Sequence, residues 1–108
     1  MINRLNSRLI VMLILSAVIA NVQATPFAKG DAVTGKKSFE QHKCNSCHAS
    51  KLGGDGSSMF TRADHKVKSP AALATQITRC STNLGLMLFE DDEENLGAYL
   101  NKNYYKFK

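Results

Sequence analysis

The sequence predicts a small all-α domain, for two reasons. Apolar residues recur three or four positions apart, as Leu73 and Ile77 do, and again Leu96 and Tyr99; this spacing is typical of helices with one buried face. No stretch alternates apolar and polar residues for long enough to predict a strand. We therefore expect helices joined by loops.

The first predicted helix runs from Asp31 to Cys47. Asp31 suits its start, because a carboxylate there can accept a hydrogen bond from the first free backbone N–H groups. The glycine-rich stretch from Leu52 to Ser58 is predicted to be a loop. A short second helix is expected from Pro70 to about Thr78, since Ser69 followed by proline is typical of a helix start.

The last predicted helix begins within the acidic run of residues 90–94. Carboxylates stabilise the N-terminal end of a helix through its dipole, and we expect this helix to continue to about Asn103. The stretch from Ser81 to Phe89, between the second helix and the last, is interpreted as a loop.

The first 24 residues have the three parts of a secretory signal peptide. Arg4 and Arg8 are followed by an apolar run from Leu9 to Ala20. The sequence Val22-Gln-Ala24 then has the small residues that signal peptidase needs before its cleavage site. The run of twelve residues is shorter than the roughly 20 that span a bilayer, so cleavage is favoured over a retained membrane anchor. We expect export to the periplasm, cleavage after about Ala24, and no stable membrane insertion of the mature chain.

Residues 25–108 have room for one small domain. A core of this size usually needs a disulfide, a metal or a large cofactor to stabilise it. The net charge is +5 for the whole sequence, and it falls to +3 without the two arginines of the first 24 residues. Basic residues prevail before residue 70, so the surface could attract an acidic protein partner. We expect no nucleic-acid binding, because no aromatic and basic binding motif is present.

The decisive motif is Cys44-Asn-Ser-Cys47-His48. C-x-x-C-H is the attachment sequence of haem c, in which both cysteines form thioethers with the haem and the histidine binds the iron. A thioredoxin-like disulfide would need a longer βαβ frame. A zinc site would need a second pair of ligands at a suitable spacing. We therefore predict one covalent haem c held by Cys44, Cys47 and His48.

Cys80 is the third cysteine, and its role stays open at this point. A buried free thiol is the favoured interpretation. An intermolecular disulfide and a functional role, including an approach to the iron, are the alternatives.

Two segments of the chain resemble the class I c-type cytochromes. The first begins at Asp31, carries Gly35 and Phe39, and leads into the haem motif; the second is Glu94–Lys102. The resemblance covers most of residues 31–102, with the specific motifs at its two ends.

The resemblance implies a particular arrangement of the helices. The first and last helices would cross, with Gly35 and Phe39 packed against Leu96 and Tyr99. One short middle helix and several loops would wrap a haem with one exposed edge. The family usually has a proline after the haem motif whose carbonyl holds the axial histidine, and the corresponding stretch here is glycine-rich.

The second axial ligand of the iron is less determined by the sequence. The family places a methionine in the loop before the last helix, and Met87 occupies that position, which makes it our first choice. Met59 is the alternative methionine, although its closeness to His48 in the sequence would normally leave it on the histidine side of the haem. His65, His42 and an open site are the remaining possibilities.

The expected function is one-electron transfer between redox proteins by a monomeric carrier that is not an enzyme. No nucleophile-base pair, second metal cluster or phosphate loop is present in the sequence. Two alternatives remain open. One is a five-coordinate haem sensor or small-ligand-binding protein, which the missing Met-Pro sequence favours. The other is a fixed haem subunit of a larger oxidoreductase, anchored by the aromatic and basic tail of residues 104–108.

Overall fold

The computed structural model describes residues 25–108, and in them it shows helices and no strand. The prediction of an all-α domain is therefore confirmed for this part of the chain. The signal peptide predicted for residues 1–24 lies outside the described residues. The helices are α1 (Ala32–Gln41), α2 (Ser46–Leu52), α3 (Ser58–Thr61), α4 (Pro70–Asn83) and α5 (Glu90–Leu100), followed by one π-helical turn (Asn101–Tyr105).

Helix α1 begins as predicted and ends earlier than predicted. Asp31 caps it, since its Oδ1 accepts a hydrogen bond from the Thr34 N–H at 2.8 Å. The helix ends at Gln41, and Lys43 takes a left-handed conformation with φ of 52°. The Cys44 N–H then donates to the carbonyl of Phe39 at 3.0 Å, which completes a Schellman ending. Prediction of a helix through Cys47 was wrong because glycine, not lysine, usually marks this kind of ending.

The expectation of one short middle helix was also wrong, since α2, α3 and α4 all lie between the first and last helices. Helix α2 carries the end of the haem motif, and a glycine-rich loop follows it as predicted, although Leu52 and Ser58 at the predicted loop ends belong to α2 and α3. Gly56 in this loop has a φ of 80°, and a Cβ there would overlap the backbone of Ala49 and the Cβ of His48. The loop therefore folds back onto α2 at a point where only glycine fits.

Helix α4 begins at the predicted cap and is longer than predicted. Ser69 Oγ accepts a hydrogen bond from the Ala72 N–H at 3.1 Å. The segment from Ser81 to Asn83, interpreted above as loop, is the last part of this helix. Its polar side chains are compatible with a helix because they are hydrogen-bonded: Ser81 Oγ, for example, donates to the carbonyl of Thr78 at 2.9 Å.

Helix α5 begins in the acidic run, as predicted. The Phe89 N–H donates to the Asp92 carboxylate at 3.0 Å, so one acidic side chain caps the helix directly. The α-helix ends at Leu100, before the expected boundary near Asn103, and the π-helical turn continues to Tyr105.

Helices α1 and α5 pack closely, which brings the first and last parts of the domain together. A Cβ at Gly35 would overlap the carbonyl of Asn95 and touch the Cβ of Tyr99. The ring centroids of Phe39 and Tyr99 lie 5.3 Å apart. The Asp31 N–H donates to Asn95 Oδ1 at 2.8 Å. The packing of Gly35 and Phe39 against Tyr99 that the family resemblance implied is therefore present.

The core combines the α1–α5 contact with side chains from the middle of the chain. Its buried members are Phe39, Phe60, Val67, Leu73, Ile77, Leu96, Tyr99 and Leu100. None of the helices in residues 25–108 is long and apolar enough to cross a membrane.

Candidate haem-binding site

A cavity of about 480 Å³ lies between the middle helices and α5. This volume falls in the range of about 300–1,000 Å³ typical of ligand pockets. The side chains that line it are mainly aliphatic and aromatic: Phe39, Cys44, His48, Met59, Phe60, Arg62, Asp64, His65, Lys66, Val67, Leu73, Gln76, Ile77, Arg79, Cys80, Ser81, Leu84, Leu86, Leu88, Leu96, Leu100 and Tyr105.

The structure brings two of the three predicted haem-attachment residues to this cavity. Cys44 and His48 line it, whereas Cys47 is exposed and does not. The motif is divided between two elements, because Cys44 lies in the turn after α1, while Cys47 and His48 belong to α2. All three cysteines are free thiols.

The imidazole of His48 is held against Phe60, with ring centroids 5.5 Å apart in an edge-to-face arrangement. Its Nδ1 atom is buried and has no hydrogen-bond partner. Burial, with a smaller contribution from the charge of Lys51, lowers the pKa of His48. A neutral imidazole with an unused nitrogen is the form that binds a metal ion.

The cavity also brings Cys80 close to Cys44. Burial raises the pKa of the Cys44 thiol, and the neighbouring Cys80 raises it further. The Gln76 side-chain amide donates a hydrogen bond to the Cys80 Sγ at 3.1 Å. Cys80 is half-buried. The pKa of Tyr105 is raised mainly by burial of its side chain and, to a smaller extent, by the neighbouring Cys80.

The four candidates for the second axial ligand are placed very differently. Met59 and His65 line the cavity, and the buried Nδ1 of His65 has no hydrogen-bond partner. Met87 lies in the loop between α4 and α5 with 94% of its side chain exposed, and it does not line the cavity. His42 follows α1 and does not line the cavity either. The family position of Met87 therefore does not coincide with the cavity in this structure.

Charged side chains occupy the rim of the cavity. Arg62 and Asp64 form a two-bond ion pair, with nitrogen-to-oxygen distances of 2.5 and 2.6 Å. The Arg62 guanidinium lowers the pKa of the Asp64 carboxyl to about 2. Lys66 and Arg79 line the same rim and are exposed. These cations could accompany the carboxylates of a bound cofactor.

Several residues of this site were missed by reasoning from the sequence. Phe60, Tyr105 and Gln76 were not singled out as site residues, because they belong to no motif and their approach to the cavity depends on tertiary packing. One signal was available for α4: Leu73, Ile77, Cys80 and Leu84 have helical spacing, and all four line the cavity.

The residues that line the cavity are compatible with a haem. Among residues 25–108, no three His, Cys, Asp or Glu side chains are grouped so that they could hold a metal ion by themselves. The ring nitrogens of a porphyrin supply equatorial ligands to the iron, so the protein needs to add axial ligands only. The apolar walls, the Cys44 thiol and the unpartnered His48 nitrogen match those needs.

Comparison of the chain with protein-family models, with curated proteins and with solved structures found no match.

Proposed function

We propose that this chain is a monohaem c-type cytochrome that carries one electron at a time between redox proteins outside the cytoplasmic membrane. Cys44 and Cys47 would hold the haem by thioethers, and His48 would be an axial ligand of its iron. When bound, the haem supplies the one-electron redox chemistry. The observation that carries the proposal is that Cys44 and His48, from one C-x-x-C-H motif, line the same apolar cavity.

The surroundings of His48 support this role. Phe60 holds one side of the ring, and the loop at Gly56 lies against the helix that carries it. An axial ligand must keep its direction in both redox states, and close packing of this kind restricts ring rotation. Burial lowers the pKa of His48, which favours the neutral imidazole that can bind iron.

The proposal is tested by producing the full chain in a bacterium that attaches haem c. The expected product has the mass of one added haem and keeps its haem after denaturation. Cys44→Ala and Cys47→Ala should each lose at least one thioether, which shifts the absorption spectrum of the pyridine-treated protein. Ser46→Ala is the matched control, since it changes the motif without removing a thiol. A wild-type chain without covalent haem, from cells that mature another c-type cytochrome, overturns the proposal.

The location is tested on the same preparation. Export with cleavage after Ala24 predicts a mature protein that starts at Thr25 and is released with the periplasmic fraction. A protein that retains residues 1–24 and stays with the membrane contradicts this part of the proposal.

A second candidate function is a haem protein with an open iron that binds a small ligand. The exposure of Met87 favours it, because the methionine expected from the family position lies outside the cavity. Binding of carbon monoxide to the ferrous protein without displacement of a protein ligand would support this candidate. The third interpretation, a subunit anchored by residues 104–108, has less support. Tyr104, Tyr105 and Phe107 pack against the core of the domain.

A further inference from the structure

We propose that Cys80 is the second axial ligand of the iron, on the side of the haem opposite His48. This inference rests on the proposed haem attachment at Cys44, Cys47 and His48. It replaces Met87, whose exposed side chain does not line the cavity, with a sulfur that does line it.

The first argument is the position of the helices around the cavity. Helix α2, which carries His48, packs with α3, whereas α4 packs with α5. Neither α2 nor α3 makes a comparable contact with α4, although residues of all three line the cavity. The cavity thus separates a wall that carries His48 from a wall formed by α4. Two axial ligands must approach the iron from opposite faces of the porphyrin, so the second is expected from the α4 wall.

The second argument is the composition of the α4 wall. Leu73, Ile77, Cys80 and Leu84 follow one another at helical spacing and all line the cavity. Among these side chains, Cys80 alone has an atom of the kind that haem iron binds, since a thiolate is an established haem ligand. Leu73 and Ile77, which precede Cys80 in this row, are buried.

The third argument is the hydrogen bond to the sulfur. The Gln76 amide donates to Cys80 Sγ at 3.1 Å from one helical turn earlier. A donor to the sulfur stabilises a thiolate and fixes its orientation, and hydrogen bonds of this kind tune metal-bound cysteine. On binding ferric iron, the Cys80 thiol would release its one proton to solvent, and the iron would keep its oxidation state.

The buried nitrogen of His48 is a separate observation on the same cavity. Its Nδ1 has no hydrogen-bond partner, and the Nδ1 of His65 has none either. Both histidines line the cavity together with Cys80. The cavity therefore holds two unpartnered imidazoles and one thiol, and the variants below separate their roles.

Two other candidates line the cavity. Met59 is in α3, next to Phe60, whose ring contacts His48, so Met59 is expected beside the proximal histidine rather than across the haem from it. The His65 ring lies 5.5 Å from the ring of Tyr105, and the His65→Gln variant below distinguishes it from Cys80.

The test uses the full-length holoprotein, with its covalent haem verified by mass. We expect the ferric wild type to be low-spin, with the electron paramagnetic resonance signature of histidine and thiolate ligation and without the near-infrared band of methionine ligation. Cys80→Ser and Cys80→Ala should convert the iron to a high-spin form. They should also raise the reduction potential, since thiolate donation favours the ferric state. Met59→Leu, Met87→Leu and His65→Gln are the matched controls, and each should keep the wild-type spectrum.

The outcomes separate this inference from the proposed function. Covalent haem with a spectrum that is unchanged in both Cys80 variants overturns the inference and leaves the haem attachment intact. A methionine band, a loss of the low-spin signal in one of the three controls only, or a high-spin wild type overturns it in the same way. Absence of covalent haem overturns the proposed function itself. The wild-type thiolate signature needs no variant, so a folding defect in Cys80→Ala does not prevent the test.

Discussion

The Cα of Gly35 in α1 lies directly against the backbone carbonyl of Asn95 in α5, with no room for a Cβ between them. This contact sets how closely the two helices approach. It also fixes the register in which Phe39 meets Tyr99, whose ring centroids lie 5.3 Å apart.

Gly35→Ala is therefore expected to force α1 and α5 apart. Overpacking of a close helix contact typically costs about 1–3 kcal/mol of the free energy of unfolding, and we expect a loss in this range. Urea unfolding followed by circular dichroism measures it. Val33→Ala, on the exposed side of the same helix, should change stability by less than about 0.5 kcal/mol. Equal stability of the Gly35 variant and the wild type would contradict the close contact.

Gly56 and Gly53 form a natural matched pair for testing how the loop supports His48. Both have a positive φ, of 80° and 78°, so alanine at either site is strained by its backbone conformation. A Cβ at Gly56 would also overlap Ala49 and His48, whereas a Cβ at Gly53 meets open space. We expect Gly56→Ala to be the more destabilising change by about 1–3 kcal/mol.

The same pair has a readout at the haem. Gly56→Ala should alter the spectrum of the ferric holoprotein, because it displaces the helix that carries His48, and Gly53→Ala should leave that spectrum unchanged. If both variants gave the same unfolding free energy and the same spectrum, the loop would have no role in positioning His48.

The ion pair between Arg62 and Asp64 at the rim of the cavity predicts a low pKa for the Asp64 carboxyl. Arg62 lowers the pKa of Asp64 to about 2, below the ordinary value of about 3.9. A carboxylate whose pKa is lower in the folded state contributes stability above its unfolded pKa, and that stability is lost as the pH falls from about 4 to about 2. The contribution is small, because both side chains are exposed and the pair is screened by water.

Nuclear magnetic resonance of the Asp64 side chain measures this pKa directly. Arg62→Gln should return the midpoint to the ordinary range of about 3.9. Lys68→Gln, at the more distant cation, should shift it much less, since Lys68 makes the smaller contribution to this pKa. A wild-type midpoint near 4 would show that the ion pair does not persist in solution.

The sequence predicted those parts of the fold that local chemistry determines. Asp31 and Ser69 cap α1 and α4 as expected, because a cap depends on residues that are adjacent in the chain. The end of α1 was missed because Lys43 takes a left-handed conformation that its residue type does not predict. The full length of α4 was missed because its polar last turn is hydrogen-bonded within the helix and to Glu93 of α5.

The candidate site was predictable only where a motif spans a few neighbouring residues. Cys44, Cys47 and His48 follow from the motif, and two of them line the cavity. The second wall of the cavity could not be predicted in the same way, because it depends on where α4 packs. The family resemblance favoured Met87 as the second axial ligand, and in the structure the side chain of Met87 is exposed to solvent.

The contact between Asp31 and Asn95 joins residues 64 positions apart, and this separation has a consequence for folding. Most of the cavity lining comes from the segment between these two residues, and the rest comes from α5 and the turn after it. Folding must close this long loop, and the chain entropy lost in doing so is compensated only once native contacts form. A contact between residues so far apart therefore slows folding. We therefore expect the cavity walls to meet late, after α5 has docked on α1. Leu96 and Leu100 of α5 line the cavity, so shortening this helix should disrupt it even though most of the lining lies far away in the chain. During synthesis, the C-x-x-C-H segment would remain accessible until the final helix is complete.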